Sequence, residues 1–341
     1  MHRVQGVVKH YDWGDTRFLP ELLGEAPDSR PWAEVWFGTY RDGHASVDGS
    51  GEPLASIAGE LRYMVKFLSA AKPLSLQVHP SKEQAVAGFA RENAAGVPLT
   101  SPQRIYRDES DKPELLIALS SFTALCGFHS ASSTVGWFRA MKWDALADYL
   151  EANGIQAFVA EALTGNAIEV PTFLPPWAQK LSECYPGDRA LLVALLMHHV
   201  ELAPGECLLL EAGTLHAYLH GNAVEVMNDS NNVVRAGFTT KHIDPKEVLR
   251  IASFESTPTP VRRPEFINRS HVRYPSTGAF SVEMVQAPGT VDALPQPQLV
   301  VCADGASDGF HQGQAGLLQT GESLNLTGNA RVFVATAGTQ H

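Results

Sequence analysis

The stretch PGECLLLEAGTLHAYLHGNAVEVM, residues 204–227, decides the fold class. Its first apolar run, Cys207–Glu211, is followed by a glycine-containing turn and then by Leu215–His220, in which apolar and polar side chains alternate. Alternation with a period of two predicts a half-buried strand. Gly221–Asn222 predicts another turn before a further strand, Ala223–Met227. The stretch therefore predicts a series of antiparallel strands.

The same pattern extends toward the N-terminus. Short apolar runs there are separated by turn residues, and the whole chain holds 28 glycines and 22 prolines, as is typical of β proteins. Residues 73–80 (PLSLQVHP) alternate, which predicts a strand with Ser75, Gln77 and His79 on one face. Ser81 with Gln84 forms the pattern of a helix capping box. A further strand is predicted to begin at Glu114.

The predicted pattern changes between residues 129 and 200. One helix is predicted from Ser133 to Gly154, with a break near Trp143, and a second from Asp188 through Val200. Beyond residue 257, short alternating runs predict a second β-sandwich or jelly roll. We therefore expect a mainly β chain with a catalytic domain formed by residues 1–128 and 201–256, a helical insert at 129–200, and a C-terminal β domain at 257–341.

Charge and composition exclude several classes of function. The 37 acidic residues outnumber the 26 Lys and Arg residues, which gives a net charge of −11. Nucleic acids and anionic membranes require a positive surface, so we expect neither as a partner. The four cysteines are widely spaced and form no metal or disulfide pattern, and residues 1–17 lack the apolar core of a signal peptide. We expect a cytoplasmic protein that is a monomer or a weak oligomer.

Four side chains are candidate ligands of a metal ion. Gln77 and His79 share one face of a predicted strand, a spacing that lets both reach one ion, although such a pair is more often simply hydrogen-bonded. Glu114 and His216 lie in strands with apolar neighbours, where an unpaired polar group would be costly. The expected burial of Glu114 and His216 calls for a partner and so strengthens the interpretation of Gln77 and His79 as metal ligands.

Two levels of resemblance connect these residues to known proteins. Residues 204–216 resemble the second half-motif of cupin barrels, with Glu211 in place of the usual proline. Several sequence blocks resemble type I mannose-6-phosphate isomerases. They are YDWG (11–14), EVWFG (34–38), LSLQVHP (74–80), DKPE (111–114) and HAYLHG through VMNDSNNVVRAGFTTK (216–241). They occur in the order of that family and cover residues 1 to about 250.

This resemblance implies a cupin-type jelly-roll barrel and a zinc-dependent aldose-ketose isomerase. The implied reaction interconverts mannose 6-phosphate and fructose 6-phosphate through an enediol. The resemblance places Zn²⁺ on Gln77, His79, Glu114 and His216. It further implies Lys112 as a proton carrier and Arg235 as the catalytic arginine. Lys241 and Trp13 are expected to bind the phosphosugar.

This chain departs from the family pattern at several positions. Ser110 and Asp111 replace Asn and His before Lys112, Asn231 replaces Asp, and Thr240 replaces Pro. These changes keep open a non-catalytic cupin that binds a sugar phosphate. His79, Glu114 and His216 also form the two-histidine, one-carboxylate set of Fe(II) oxygenases, although Gln77 would fill a position that oxygen chemistry needs open.

Overall fold

The computed structural model describes residues 1–338 and has a mainly β fold. Two large antiparallel sheets, of eleven and eight strands, are accompanied by a group of helices between the strands that end at Phe128 and begin at Met197. The predicted fold class, mainly β with a helical insert and a second β unit, is confirmed.

The helices are α1 (Phe18–Leu23), α2 (Ala55–Ala58), α3 (Lys82–Ala94), α4 (Ala131–Ala140), α5 (Asp144–Thr164), α6 (Pro176–Cys184), α7 (Ala190–Ala194) and α8 (Pro245–Ile251). The strands of the N-terminal two thirds are β1 (His2–Gln5), β2 (Val7–Lys9), β3 (Glu34–Phe37), β4 (Ser46–Val47), β5 (Tyr63–Ala70), β6 (Leu76–Val78), β7 (Glu114–Ala118), β8 (Phe122–Phe128), β9 (Met197–Leu202), β10 (Cys207–Leu210), β11 (His216–Asn228) and β12 (Val234–Gly237). Those that follow are β13 (Val261–Arg262), β14 (Glu265–Asn268), β15 (His271–Arg273), β16 (Phe280–Gln286), β17 (Gly289–Val291), β18 (Gln298–Asp304), β19 (Ala306–Ser307), β20 (Phe310–His311), β21 (Ala315–Leu318), β22 (Leu324–Leu326) and β23 (Arg331–Ala337).

The long strand β11 is the centre of the eleven-stranded sheet. Its first half pairs with β6 and β8, and its second half pairs with β5 and β7. The predicted turn at Gly221–Asn222 is therefore wrong, because the strand continues through it. Gly221 has a φ of 127°, which favours glycine, and its missing Cβ leaves room for the Phe122 backbone. At this point β11 changes its pairing partners from β6 and β8 to β5 and β7.

One of the two predicted helical segments is wrong over much of its length, and the other is confirmed together with its break. Of the helix predicted from Asp188 to Val200, only the five residues of α7 are helical. Residues Met197–Leu202 form strand β9 instead, which pairs with β8. This run is almost entirely apolar and buried, so its sequence has no helical period to separate helix from strand. The other predicted segment is helical and its predicted break near Trp143 is confirmed, because α4 ends at Ala140 and α5 begins at Asp144, although α5 continues past Gly154 to Thr164. The predicted capping box at Ser81 and Gln84 is confirmed.

The two large sheets share one apolar core. Val65, Phe67 and Val226 of the first sheet pack in the same cluster as Leu299 and Phe333 of the second. Strand β1 pairs with β21, so the first residues of the chain belong to the eight-stranded sheet. Pairing thus crosses the proposed boundary at residue 257, and the division into domains stays a prediction. Among the helices of residues 1–338, none is both long enough and apolar enough to cross a bilayer.

Candidate metal centre and active site

Three of the predicted ligands meet inside the eleven-stranded sheet. Ligand atoms of His79, Glu114 and His216 all lie within 4.8 Å of one another, and each residue is only 1% exposed. His79 Nε2 lies 3.3 Å from Glu114 Oε1, and His216 Nε2 lies 3.5 Å from Glu114 Oε2. The strands bring together residues up to 137 positions apart because β11 pairs with both β6 and β7.

Both imidazoles present the same nitrogen to this cluster. Nδ1 of His79 lies 2.8 Å from the Asn232 carbonyl, and Nδ1 of His216 lies 2.9 Å from the Thr214 carbonyl. A carbonyl only accepts hydrogen bonds, so each Nδ1 carries the proton and each Nε2 keeps its lone pair. Burial lowers the pKa of both side chains, that of His216 to about 4. Both histidines are therefore neutral and able to bind a cation.

Gln77 lies beside the cluster through strand register. It is directly opposite His216 on β11 and directly opposite Arg235 on β12. Paired residues of antiparallel strands project to the same face, so Arg235, Gln77 and His216 form a row across the sheet. The Gln77 amide nitrogen is 3.2 Å from His216 Nε2. A rotation of the amide by 180° turns its oxygen toward the same point.

Lys112 contacts the carboxylate of the cluster. Its Nζ lies 2.8 Å from Glu114 Oε1, and the lysine is 6% exposed. Burial alone would raise the pKa of Glu114, but the Lys112 ammonium beside it holds this pKa well below its usual value. Glu114 is therefore ionised, and the lysine is held at the centre of the site.

A chain of buried charges continues beyond Glu114. Tyr218 Oη lies 3.4 Å from Glu114 Oε2 and donates to Glu225 at 2.9 Å. Lys66 Nζ lies 3.0 Å from Glu225 and 3.4 Å from Glu34. Burial raises the pKa of Glu225, while its carboxylate and that of Glu34 raise the pKa of Lys66 despite burial. These residues connect the cluster to the strand pair β3 and β5.

Positive and aromatic side chains lie on the Arg235 side of the row. Burial lowers the pKa of Arg235, and Arg107 lowers it further. Within residues 1–338 the Arg235 guanidinium has no ion pair and no hydrogen bond. Lys241 Nζ lies 5.1 Å from the ring centroid of Tyr11, which stacks on Trp13 at 5.7 Å. An unpaired, half-buried arginine of this kind suits an anionic ligand.

The donor set fits a divalent zinc ion. Nε2 of His79 is buried and has no hydrogen-bond partner among the described residues, a cost that a bound cation would remove. Imidazole nitrogens and a carboxylate are ordinary zinc donors, and three protein ligands of this type are common in catalytic zinc sites. The carbonyls that bind each Nδ1 orient the rings, as outer partners do in zinc proteins.

Comparisons with known proteins agree with this geometry. Residues 50–131 match the family model described as phosphomannose isomerase type I, catalytic domain. The chain is 33% identical to the mannose-6-phosphate isomerase of Escherichia coli (strain K12), over 96% of this chain and 95% of that protein. It is 36% identical to that of Salmonella typhimurium over 76% of each chain. The chain belongs to the type I phosphomannose isomerase family.

A solved structure of a mannose 6-phosphate isomerase in a zinc-bound form resembles this chain with a TM-score of 0.86. The match has 29% identity and covers 99% of each chain. The apo form from Salmonella typhimurium matches with a TM-score of 0.87, at the same identity and coverage. The buried cluster of His79, Glu114 and His216 supplies donors of the kind that bind zinc, in agreement with the match to a zinc-bound structure.

Sequence reasoning missed part of this site. Lys66 and Glu34 were not predicted, although a lysine inside the buried strand YMVKFLSA is a signal in itself. Asn232 was not singled out either, because an asparagine in a polar loop has many ordinary explanations. The structure places Lys112 beside the cluster and Arg235 in its row. The catalytic and substrate-binding roles of these residues stay predictions.

Proposed function

We propose that this chain interconverts mannose 6-phosphate and fructose 6-phosphate, with zinc held by Gln77, His79, Glu114 and His216. The observation that carries the proposal is the buried His/Glu/His cluster in a chain that matches mannose-6-phosphate isomerases over nearly its full length. When bound, the ion supplies Lewis acidity near the sugar oxygens. Two neutral histidines, one neutral amide and one carboxylate leave a charge of about +1 at the site.

The protein groups would divide the remaining work. Isomerisation moves a proton between C1 and C2 of the open-chain sugar while negative charge develops on oxygen. We assign the proton transfer to Lys112, because its side-chain nitrogen is buried at the cluster: the amine form would accept the proton from one carbon and the resulting ammonium would return it to the other. Arg235 would stabilise anionic oxygen on the phosphate or the enediolate through its two-pronged guanidinium. Lys241 and Trp13 would bind the phosphosugar beside Tyr11.

The proposed setting is a reducing cytoplasm, where the chain acts as a monomer or a weak oligomer. All four cysteines are free in the structure, and three of them are buried, which suits that compartment. No partner other than the small phosphosugar is proposed.

A coupled assay tests this function directly. Purified protein is given mannose 6-phosphate, and fructose 6-phosphate formation is followed before chelation, after full metal removal, and after zinc is restored. We expect activity to disappear and to return with zinc. Activity that survives complete metal removal would reject the metal role. Tight binding without turnover would favour the non-catalytic alternative, and bound iron with oxygen uptake would favour an oxygenase.

A matched pair of variants tests the assignment of Arg235. Arg235→Met removes the unpaired guanidinium, and we expect kcat/KM to fall by about 10²–10³-fold, the usual effect of losing a charge-stabilising donor. Arg17→Met removes an exposed arginine paired only with Glu21 and should leave kcat/KM unchanged. If the two variants have the same kcat/KM, the assignment of Arg235 to the reaction is wrong.

A further inference from the structure

Asn232 is completely buried and contacts both the ligand histidine His79 and the loop that leads to Lys112. Its backbone carbonyl accepts the hydrogen bond from Nδ1 of His79 at 2.8 Å. This bond fixes the tautomer in which Nε2 of His79 faces Glu114. The residue thus acts on a ligand histidine through its main chain, independently of its side chain.

The side chain of Asn232 holds the loop that leads to Lys112. Its Oδ1 accepts from the backbone N–H groups of Arg107 at 2.7 Å and Asp108 at 3.2 Å. Its Nδ2 donates to the carbonyl oxygens of Asp108 at 2.9 Å and Ser110 at 2.8 Å, and lies 3.0 Å from the Asp108 carboxylate. Every polar atom of the carboxamide is therefore used, and Lys112 follows only two residues after Ser110.

Asparagine is the residue type that these contacts require. Two amide donors point at Oδ1, and three oxygens surround Nδ2, so the site needs one acceptor and one double donor on a short side chain. An aspartate of the same shape would still accept the two backbone hydrogen bonds. Its second carboxylate oxygen, however, would face the three oxygens to which the asparagine amide now donates. Such an arrangement leaves buried acceptors without donors, which is costly.

We infer that Asn232 is a positioning residue, which sets His79 and the loop carrying Lys112 at a fixed separation across Glu114. Glu114 Oε1 lies 3.3 Å from His79 Nε2 and 2.8 Å from Lys112 Nζ, so this one oxygen faces both groups that Asn232 positions. If the loop shifts relative to His79, the carboxylate cannot remain near both. The inference rests on the proposed function and adds a residue that acts through the ligand and the proton carrier.

The test is Asn232→Asp, measured first without substrate. Zinc affinity of the metal-free protein is determined by competition with a chromophoric chelator, and kcat and KM are then measured on the zinc-loaded enzyme. We expect zinc to bind about 10–100-fold more weakly and kcat to fall by a similar factor, as for other outer partners of metal ligands, while KM changes less than about threefold. Asn153→Asp adds the same charge at an exposed position of α5 and should change none of these values.

Ser230→Ala separates positioning from simple loop stability. Ser230 Oγ donates to Asp108 at 2.8 Å, lies 3.3 Å from the Ser110 carbonyl, and accepts from the Asn232 backbone N–H at 3.3 Å. The change to alanine therefore removes loop contacts but leaves the Asn232 carbonyl and the Asn232 carboxamide with their own hydrogen bonds. We expect this variant to lower the thermal midpoint but to keep the zinc Kd within about threefold of the parent. If Asn232→Asp behaves in the same way, the inference is wrong. If Asn232→Asp does not fold, Asn232→Ser decides by the same zinc measurement.

Zinc affinity needs no turnover, so this result is independent of the isomerase assay. A parent chain that binds zinc but lacks isomerase activity would reject the proposed function and leave the positioning test intact. Unchanged zinc affinity and unchanged kcat in the folded Asn232→Asp protein would reject the inference and leave the isomerase proposal intact.

Discussion

At the scale of single residues, Lys66 shows how the fold accommodates a charge in an apolar strand. A buried ammonium is costly unless it is paired, and Lys66 is paired with both Glu34 and Glu225. Lys66 lies opposite Trp36 on β3 and opposite Glu225 on β11, so two strand registers create the site. The pairing holds two buried carboxylates, one of which, Glu225, is connected to Glu114 through the Tyr218 hydroxyl.

We expect Lys66→Met to destabilise the fold by about 3–5 kcal/mol, because it leaves buried carboxylates without their cation. Urea unfolding of the zinc-free protein measures the loss. The double variant Lys66→Met/Glu225→Gln also removes one of the buried carboxylates that has lost its cation. It should recover part of the lost free energy of unfolding. A cost below about 1 kcal/mol for the single variant would show that the pair contributes little.

Asp229 makes stability depend on pH. Burial and the nearby Asp108 and Glu60 carboxylates raise the pKa of Asp229 to about 7, and its Oδ1 has no hydrogen-bond partner among the described residues. The folded state therefore holds a proton that the unfolded state has released between about pH 4 and pH 7. Stability is lost as the pH rises through this window, and the loss is complete above pH 7.

Replacing the Asp229 carboxyl with a neutral amide removes the loss of stability that its ionisation causes in the folded state. We expect Asp229→Asn to raise the free energy of unfolding at pH 8 by about 1–3 kcal/mol, allowing for partial solvent access, and to have little effect at pH 4. Urea unfolding at both values measures the difference. Asp292→Asn, at an exposed position, is the control. A gain that is equal at both pH values would contradict the assignment.

At the scale of elements, helix α3 packs closely against the loop before Lys112. A Cβ added at Gly88 would lie 2.5 Å from three ring carbons of Tyr106. Tyr106 is fully buried and donates its hydroxyl to Glu247 of α8, so the ring has no free space to move into. The glycine therefore sets the distance between α3 and this loop.

Two glycine substitutions in helices should act in opposite directions. Gly88→Ala is expected to destabilise by about 1–3 kcal/mol through overpacking, despite the better helix propensity of alanine. Gly136→Ala in α4 meets open space and should stabilise by up to about 1 kcal/mol. Thermal and urea unfolding measure both. If both variants change stability by the same amount in the same direction, the close contact between Gly88 and Tyr106 does not restrict the residue at position 88.

Sequence patterns predicted some elements and not others for a physical reason. The strand with Gln77 and His79 has polar residues at alternate positions, so its period identifies it. The run Ala190–Met197 is uniformly apolar, so it carries no period, and only pairing of the following residues with β8 decides that they form a strand. The contact of Lys66 with Glu225 depends on register between strands 159 residues apart, which local sequence does not contain.

At the scale of the whole molecule, the two sheets stabilise each other. Tyr63 of β5 donates its hydroxyl to the Ala335 carbonyl of β23 at 2.9 Å, and the surrounding cluster draws apolar side chains from both sheets. The face of β11 and β7 opposite the metal cluster supplies Val224, Val226 and Leu115 to this core. Packing against the second sheet therefore holds the strands that carry the ligands.

The most direct measurement is a crystal structure of the zinc-loaded protein with anomalous data collected at the zinc edge. We expect a single strong peak per chain about 2.0–2.2 Å from Nε2 of His79, Nε2 of His216, a Glu114 carboxylate oxygen and the Gln77 amide oxygen. A zinc peak outside this cluster, or a zinc-loaded protein with no peak there, would contradict the account.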